Sequence, residues 1–191
     1  MSEPANKKAT YEDLYEIPEN MIGEVVNGKL VALPRPSMEH TYAASALDKR
    51  IGTPYQFAEG GGPGGWIILL EPESQLGEHT LVPDLAGWKR ERFPFAEKSN
   101  WLSVAPDWVC EILSPRTALL DRTEKREIYA QAEVGHLWLV DPHNMTVELY
   151  RLGARAFHPS GVYGGEEKAR LEPFTEIEIN LADLWLNLLQ R

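Results

Sequence analysis

The segment Asp107-Trp-Val-Cys-Glu-Ile-Leu113 constrains this chain more than any other stretch. Trp108, Val109, Cys110, Ile112 and Leu113 read as a buried strand, yet Glu111 stands in its middle. A carboxylate there is expensive unless it is paired, protonated or bound to a cation. Side chains alternate along a strand, so Val109, Glu111 and Leu113 share one face and Trp108, Cys110 and Ile112 the other. Glu111 therefore points where two hydrophobic residues point. The fold must bring it a partner from elsewhere in the chain.

Two groups stand out. Asp121-Arg-Thr-Glu124 has a capping-box pattern and opens a helix to about Glu133, with Gly135 as its C-cap. On that helix Lys125, Ile128, Tyr129 and Ala132 form one core-facing stripe, while Arg122 and Arg126 project elsewhere. A lysine turned inward, in the first turns where the helix dipole disfavours a cation, suggests an anionic partner. Its bland alternative is a lysine laid over apolar surface. Upstream, Val82-Pro-Asp84 ends another apolar run with a carboxylate, a residue type that more often forms a turn than binds a ligand. Two acids from adjacent strands with a lysine nearby are what metal-assisted phosphodiester hydrolysis requires. Hard oxygens hold Mg²⁺, the ion activates water and neutralises phosphate, and the lysine offsets transition-state charge. A purely structural Glu111–Lys125 ion pair is the competing reading.

Around this centre the elements intermix without a regular βαβ repeat, which fits an α/β fold with a mixed central sheet flanked by helices. Thr10-Tyr-Glu-Asp13 opens a short helix to about Glu16. Glu24 to Ala32 is a hairpin turning at Asn27-Gly28. Ser37 caps a helix to about Ile51, where Gly52 stops it. Gly60 to Gly65 is a connector that lacks the lysine pattern of a phosphate-binding loop. Trp66 to Glu71 is a strand, Pro72 to Thr80 a turn, and Leu81 to Trp88 a strand in which Pro83 restricts pairing. Lys89 to Pro106 is a charged loop. Beyond the central helix, His136 to Asp141, Thr146 to Arg151 and Glu176 to Ile179 are strands, Gly161 to Gly165 is a turn, and Leu181 to Leu189 is an amphipathic closing helix.

At 191 residues the whole chain, 1–191, reads as one domain able to bury a substantial core. No apolar run approaches the roughly 20 residues that span a bilayer. The start, Met1-Ser-Glu-Pro-Ala-Asn-Lys-Lys8, lacks the apolar centre of a signal peptide. The single Cys110 excludes an internal disulfide framework and reads as a buried, inert thiol. A cytoplasmic protein, without membrane contact, is the expectation. The net charge of −10 argues against a surface coated in basic residues, but residues 84–126 carry +1 and the remainder −11. That zone could still admit a polyanion. The five histidines show no paired zinc spacing.

Val82-Pro-Asp84, Asp107 to Pro115, Lys125 with Tyr129, and Gly135-His-Leu-Trp-Leu-Val-Asp-Pro142 together resemble the Uma-two family of restriction endonucleases, within the PD-(D/E)XK nuclease superfamily. Glu24-Val-Val-Asn-Gly28 and Pro36-Ser-Met-Glu-His40 resemble its first hairpin and first long helix, so the likeness covers about Leu14 to Leu152. It implies a restriction-endonuclease-like fold and a Mg²⁺- or Mn²⁺-dependent endonuclease acting on DNA. Carried over, Asp84 and Glu111 are the metal ligands and Lys125 the catalytic lysine, with Glu24 and His40 in second rank. Leu113 stands where the superfamily has its lysine, and Lys125 stands where the Uma-two pattern moves it. A homodimer is implied by the habit of such enzymes to cut both strands. A non-catalytic module on the same fold, binding nucleic acid or protein, is the alternative.

Overall fold

The computed structural model describes residues 7–190, so most of the polar N-terminal stretch, residues 1–6, lies outside the described residues. Strands β1 (Met21–Val26) and β2 (Lys29–Pro34) form the first hairpin. Asn27 and Gly28 turn it with φ of 50° and 69°, as a two-residue turn between twisted strands demands. Ser37 caps helix α1 (Met38–Tyr55) by accepting from the His40 N–H. The helix passes the expected stop at Gly52, because Tyr55 is drawn into the core against Phe174 and hydrogen-bonds Glu176. Strand β3 (Trp66–Leu70) follows. The stretch expected as a plain turn instead holds a small hairpin, β4 (Ser74–Leu76) and β5 (His79–Leu81), which extends the first hairpin into a four-stranded sheet ordered β2-β1-β5-β4. The strand expected from Leu81 to Trp88 is broken at Val82-Pro-Asp84, and pairing resumes in β6 (Leu85–Lys89). Proline has no N–H to give a ladder, so the break falls where it must.

Strand β7 (Trp108–Ile112) is buried along its length. Helix α2, residues 118–131, carries the chain to β8 (His136–Asp141), which lies parallel to β7. It begins before Asp121, not at it. Ser114 and Thr117 already close the first turn, with Ser114 O accepting from Thr117 and Ala118 N–H, and Asp121 is inside the helix. Its left-handed exit residue is Glu133, at φ 61°, not Gly135. Strands β9 (Thr146–Leu152) and β10 (Phe157–Gly164) complete a six-stranded mixed sheet ordered β10-β9-β8-β7-β6-β3. The expected turn at Gly161 to Gly165 thus lies largely within an edge strand, one that tolerates Pro159 by a shift of register beside it. Strands β11 (Lys168–Leu171) and β12 (Phe174–Asn180) form a last hairpin. The closing segment is two 3₁₀ turns, Leu181–Leu184 and Leu186–Gln190, rather than one α-helix. Trp185 between them is extended, which lets its indole N–H reach Gly165 O at 2.7 Å.

The central sheet separates two apolar layers. Trp108, Cys110 and Ile112 face α1, the last hairpin and the closing turns, around Trp138 and Phe174. Val109 and Leu113 face α2 and the four-stranded sheet, through Ile128, Tyr129, Val26 and Leu81. Glu111 therefore points into the second layer. Among the described residues no helix is long and apolar enough to cross a membrane.

Candidate active site

Glu111 meets its partners where α2 and β1 close over the end of β7. On α2, Asp121, Lys125 and Tyr129 follow at intervals of four and are all buried. The segment Asp121–Lys125 is π-helical, a local widening often found at functional positions. Lys125 Nζ lies 2.8 Å from Glu111 Oε1, 2.9 Å from Glu24 Oε1 and 3.6 Å from Asp121 Oδ1. Tyr129 donates its hydroxyl to the same Glu111 oxygen at 2.5 Å. Glu24 arrives by strand alternation: it shares a face of β1 with Val26, which packs in the layer Glu111 enters.

Asp84 occupies the break between β5 and β6. The β6–β7 ladder ends at Leu85 opposite Cys110, so the Ile112 N–H lies beyond it. Asp84 Oδ2 accepts that N–H at 2.7 Å, and Oδ1 pairs with His40 Nε2 at 2.7 Å. Glu24 ties this segment down, since its Oε1 also accepts from Val82 N–H at 2.8 Å. The structure thus brings Asp84, Glu111, Lys125, Glu24 and His40 to one cleft of about 320 Å³. Asp121 joins them there. Its Asp-x-x-Glu spacing imitates a helix cap in the sequence, but the i, i+4, i+8 stripe it makes with Lys125 and Tyr129 is the signal that reveals it.

Four carboxylates thus face one ammonium. Burial pushes the Glu111 carboxyl well above its usual range, and Asp121, Asp84 and Glu24 add to this while Lys125 opposes it. Asp121 is raised as well, by burial first, then by Glu24 and Asp84. Burial alone would lower Lys125, but Glu111, Glu24, the Tyr129 phenol and Asp121 outweigh it and hold the ammonium well above its ordinary value. A surplus of negative charge raises the proton affinity of acid and base alike, so these directions agree.

Among the described residues no three His, Cys, Asp or Glu side chains are already grouped to hold a metal ion. Glu111 is occupied by Tyr129 and Lys125, and Asp84 by His40 and Ile112. The donor set nonetheless fits a divalent cation in two respects. Glu24 Oε2 is buried without a hydrogen-bond partner. The acidic donors are hard oxygens, suited to Mg²⁺ or Mn²⁺, and they outnumber the cation that now balances them.

The sequence profile of a family described as "Uma2: Putative restriction endonuclease" matches residues 9–183. Among solved structures, the chain is similar to the crystal structure of "a putative nuclease belonging to DUF820" from Anabaena variabilis, with a TM-score of 0.76 and 25% sequence identity over 94% of this chain and 99% of that one. Curated proteins give no match.

Proposed function

This chain belongs to the Uma2 family, described as "Putative restriction endonuclease", and from that premise we propose that it is a divalent-cation-dependent endonuclease that hydrolyses DNA in the PD-(D/E)XK manner. The observation that carries this reading is the cleft in which Asp84, Glu111 and Lys125 meet, with more buried carboxylates than one ammonium can balance. Asp84 and Glu111 would hold Mg²⁺ or Mn²⁺. When bound, such an ion supplies Lewis acidity toward the phosphoryl group and makes water easier to deprotonate.

The chain's own groups do the rest. His40 fixes the rotamer of Asp84 through Oδ1, and the Ile112 N–H fixes its other oxygen. Tyr129 fixes Glu111 in the same way. Lys125 has three donors and approaches Glu111 and Glu24. Turned toward substrate, it orients the attacking water and balances charge that builds on the phosphate oxygens as the new P–O bond forms and the leaving oxygen departs. Leu113 occupies the superfamily's usual lysine position, and Lys125 reaches the site from the helix instead. We extend the reading to a homodimer, which would offer one cleft to each DNA strand.

The test is cleavage of supercoiled plasmid with and without Mg²⁺ or Mn²⁺ by the wild type, Asp84→Ala, Glu111→Ala and Lys125→Ala. The wild type should cut only with the ion, and each variant should lose cutting. Activity persisting in the two acid variants would remove the assignment. A second reading, a non-catalytic module that binds nucleic acid, is favoured by Glu111 being already satisfied from within by Tyr129 and Lys125. Binding without cutting under every ion would select it.

A further inference from the structure

The floor of the cleft repels the substrate it is proposed to act on. A phosphodiester brings another negative charge toward Glu24, Asp84, Glu111 and Asp121, and the chain as a whole carries −10. Entry therefore needs cations at the rim. Besides Lys125, and His40 already paired with Asp84, two arginines line this cleft, Arg35 and Arg116.

Both arginines are exposed, and they come from different segments of the rim, the β2–α1 connection and the turn that opens α2. Their backbones are constrained locally while their heads reach solvent. Arg35 stands between Pro34 and Pro36, and the ring of the following proline disfavours helical backbone at Arg35. Arg116 follows Pro115 in the turn closed by Thr117 and Ala118 N–H on Ser114 O, at 3.1 Å and 2.9 Å. Ser114 and Thr117 hydroxyls also meet at 3.0 Å. Arg35 has only a long approach to Glu71, at 3.8 Å, and Arg116 has no ion-pair partner among the described residues. Other arginines are committed within the fold: Arg122 forks onto Glu148, Arg92 holds Asp107, and Arg50 holds Asp183. An uncommitted guanidinium on a rigid turn is preorganised for a phosphate, which its planar fork matches.

We propose that Arg35 and Arg116 contact backbone phosphates of the bound nucleic-acid strand at the rim of the cleft that holds Asp84 and Glu111. This rests on the nuclease reading above. The contacts are to phosphate alone, so they position the strand without reading its sequence.

The test is fluorescence-anisotropy binding of labelled DNA duplexes of two unrelated sequences, with Ca²⁺ replacing Mg²⁺, across a KCl series. Each phosphate contact contributes a slope of about −0.9 to log K against log salt. Arg35→Ala and Arg116→Ala should each weaken binding equally for both sequences and flatten the slope by about one contact's worth, and the double variant by about two. Arg116→Lys should restore the slope. Arg155→Ala, an exposed arginine in the β9–β10 turn, should leave it unchanged. Unchanged slopes in both variants, with the wild type binding well, would overturn this inference and leave the nuclease reading intact. A wild type that neither binds nor cuts any nucleic acid would overturn both.

Discussion

Replacing Lys125 by methionine removes the one ammonium among four carboxylates while keeping most of its aliphatic stem. Lys125 has two acid oxygens within 2.9 Å and a third at 3.6 Å, with its side chain 3% exposed. Deleting one partner of a buried pair costs about 3–5 kcal/mol, because the abandoned charge stays desolvated. With a urea dependence of about 2 kcal/mol per molar, the unfolding midpoint should fall by roughly 1.5–2.5 M near neutral pH. The deficit should also depend on pH. Glu111 and Asp121 have folded-state pKa values raised above the unfolded values. Each therefore contributes stability that is present below the unfolded value, about 4, and is lost as pH rises through the folded one. Without Lys125 both values rise further, so the variant recovers part of its deficit as pH falls and these acids take up protons. Adding Glu111→Gln should give a double variant less destabilised than the sum of the two single changes. Urea titrations at about pH 5 and about pH 8 read all of this. A midpoint shift below roughly 0.5 M, or one indifferent to pH, would refute the argument that the acids are uncompensated.

Three further outcomes are expected. His40→Ala should lower Mn²⁺ affinity by about 10–100-fold in calorimetry, since it frees Asp84 to rotate, while the melting temperature moves little. Trp138→Phe should cost about 1 kcal/mol more than Trp108→Phe in equilibrium unfolding, because only Trp138 loses an indole hydrogen bond, the one to Glu172 O, whereas the Trp108 N–H has no partner to lose. Cys110 is fully enclosed and burial pushes its thiol well above the ordinary range, with Asp84 and Glu111 adding to this. A thiol reagent should therefore label it only after denaturation.

Much of the site was legible in the sequence because strand and helix periods are short and strict. Alternation alone put Glu111 on the face of Val109 and Leu113, and the 3.6-residue period turned Lys125 inward beside Ile128 and Tyr129. What escaped depended on neighbours out of register with any local pattern. Asp121 mimics a cap, which masks the stripe it makes with Lys125 and Tyr129, and the Ser114–Thr117 turn starts the helix early enough to place it in the interior. The β4–β5 hairpin has strands of three residues, too short to show a period, and it forms because β5 meets β1. Strand β10 is interrupted by Pro159 and Gly161 and is held by β9 on one side alone. The sequence also gave no sign that Glu24 would span two segments, since its Val82 contact is 58 positions away.

The segregation of indoles across the central sheet has a spectroscopic consequence. Trp66, Trp108, Trp138 and Trp185 pack on the side away from the cleft, and Trp108 stands next but two to Glu111 along one strand while facing the opposite direction. Trp88 packs in the opposite layer with Val109 and Tyr129, and Trp101 packs on Tyr11. In a variant with Trp88 and Trp101 replaced by phenylalanine, the remaining ultraviolet emission therefore monitors the scaffold rather than the acidic side. A titrant that alters that signal has disturbed the β-sheet itself, and one that leaves it flat has been accommodated by side chains alone.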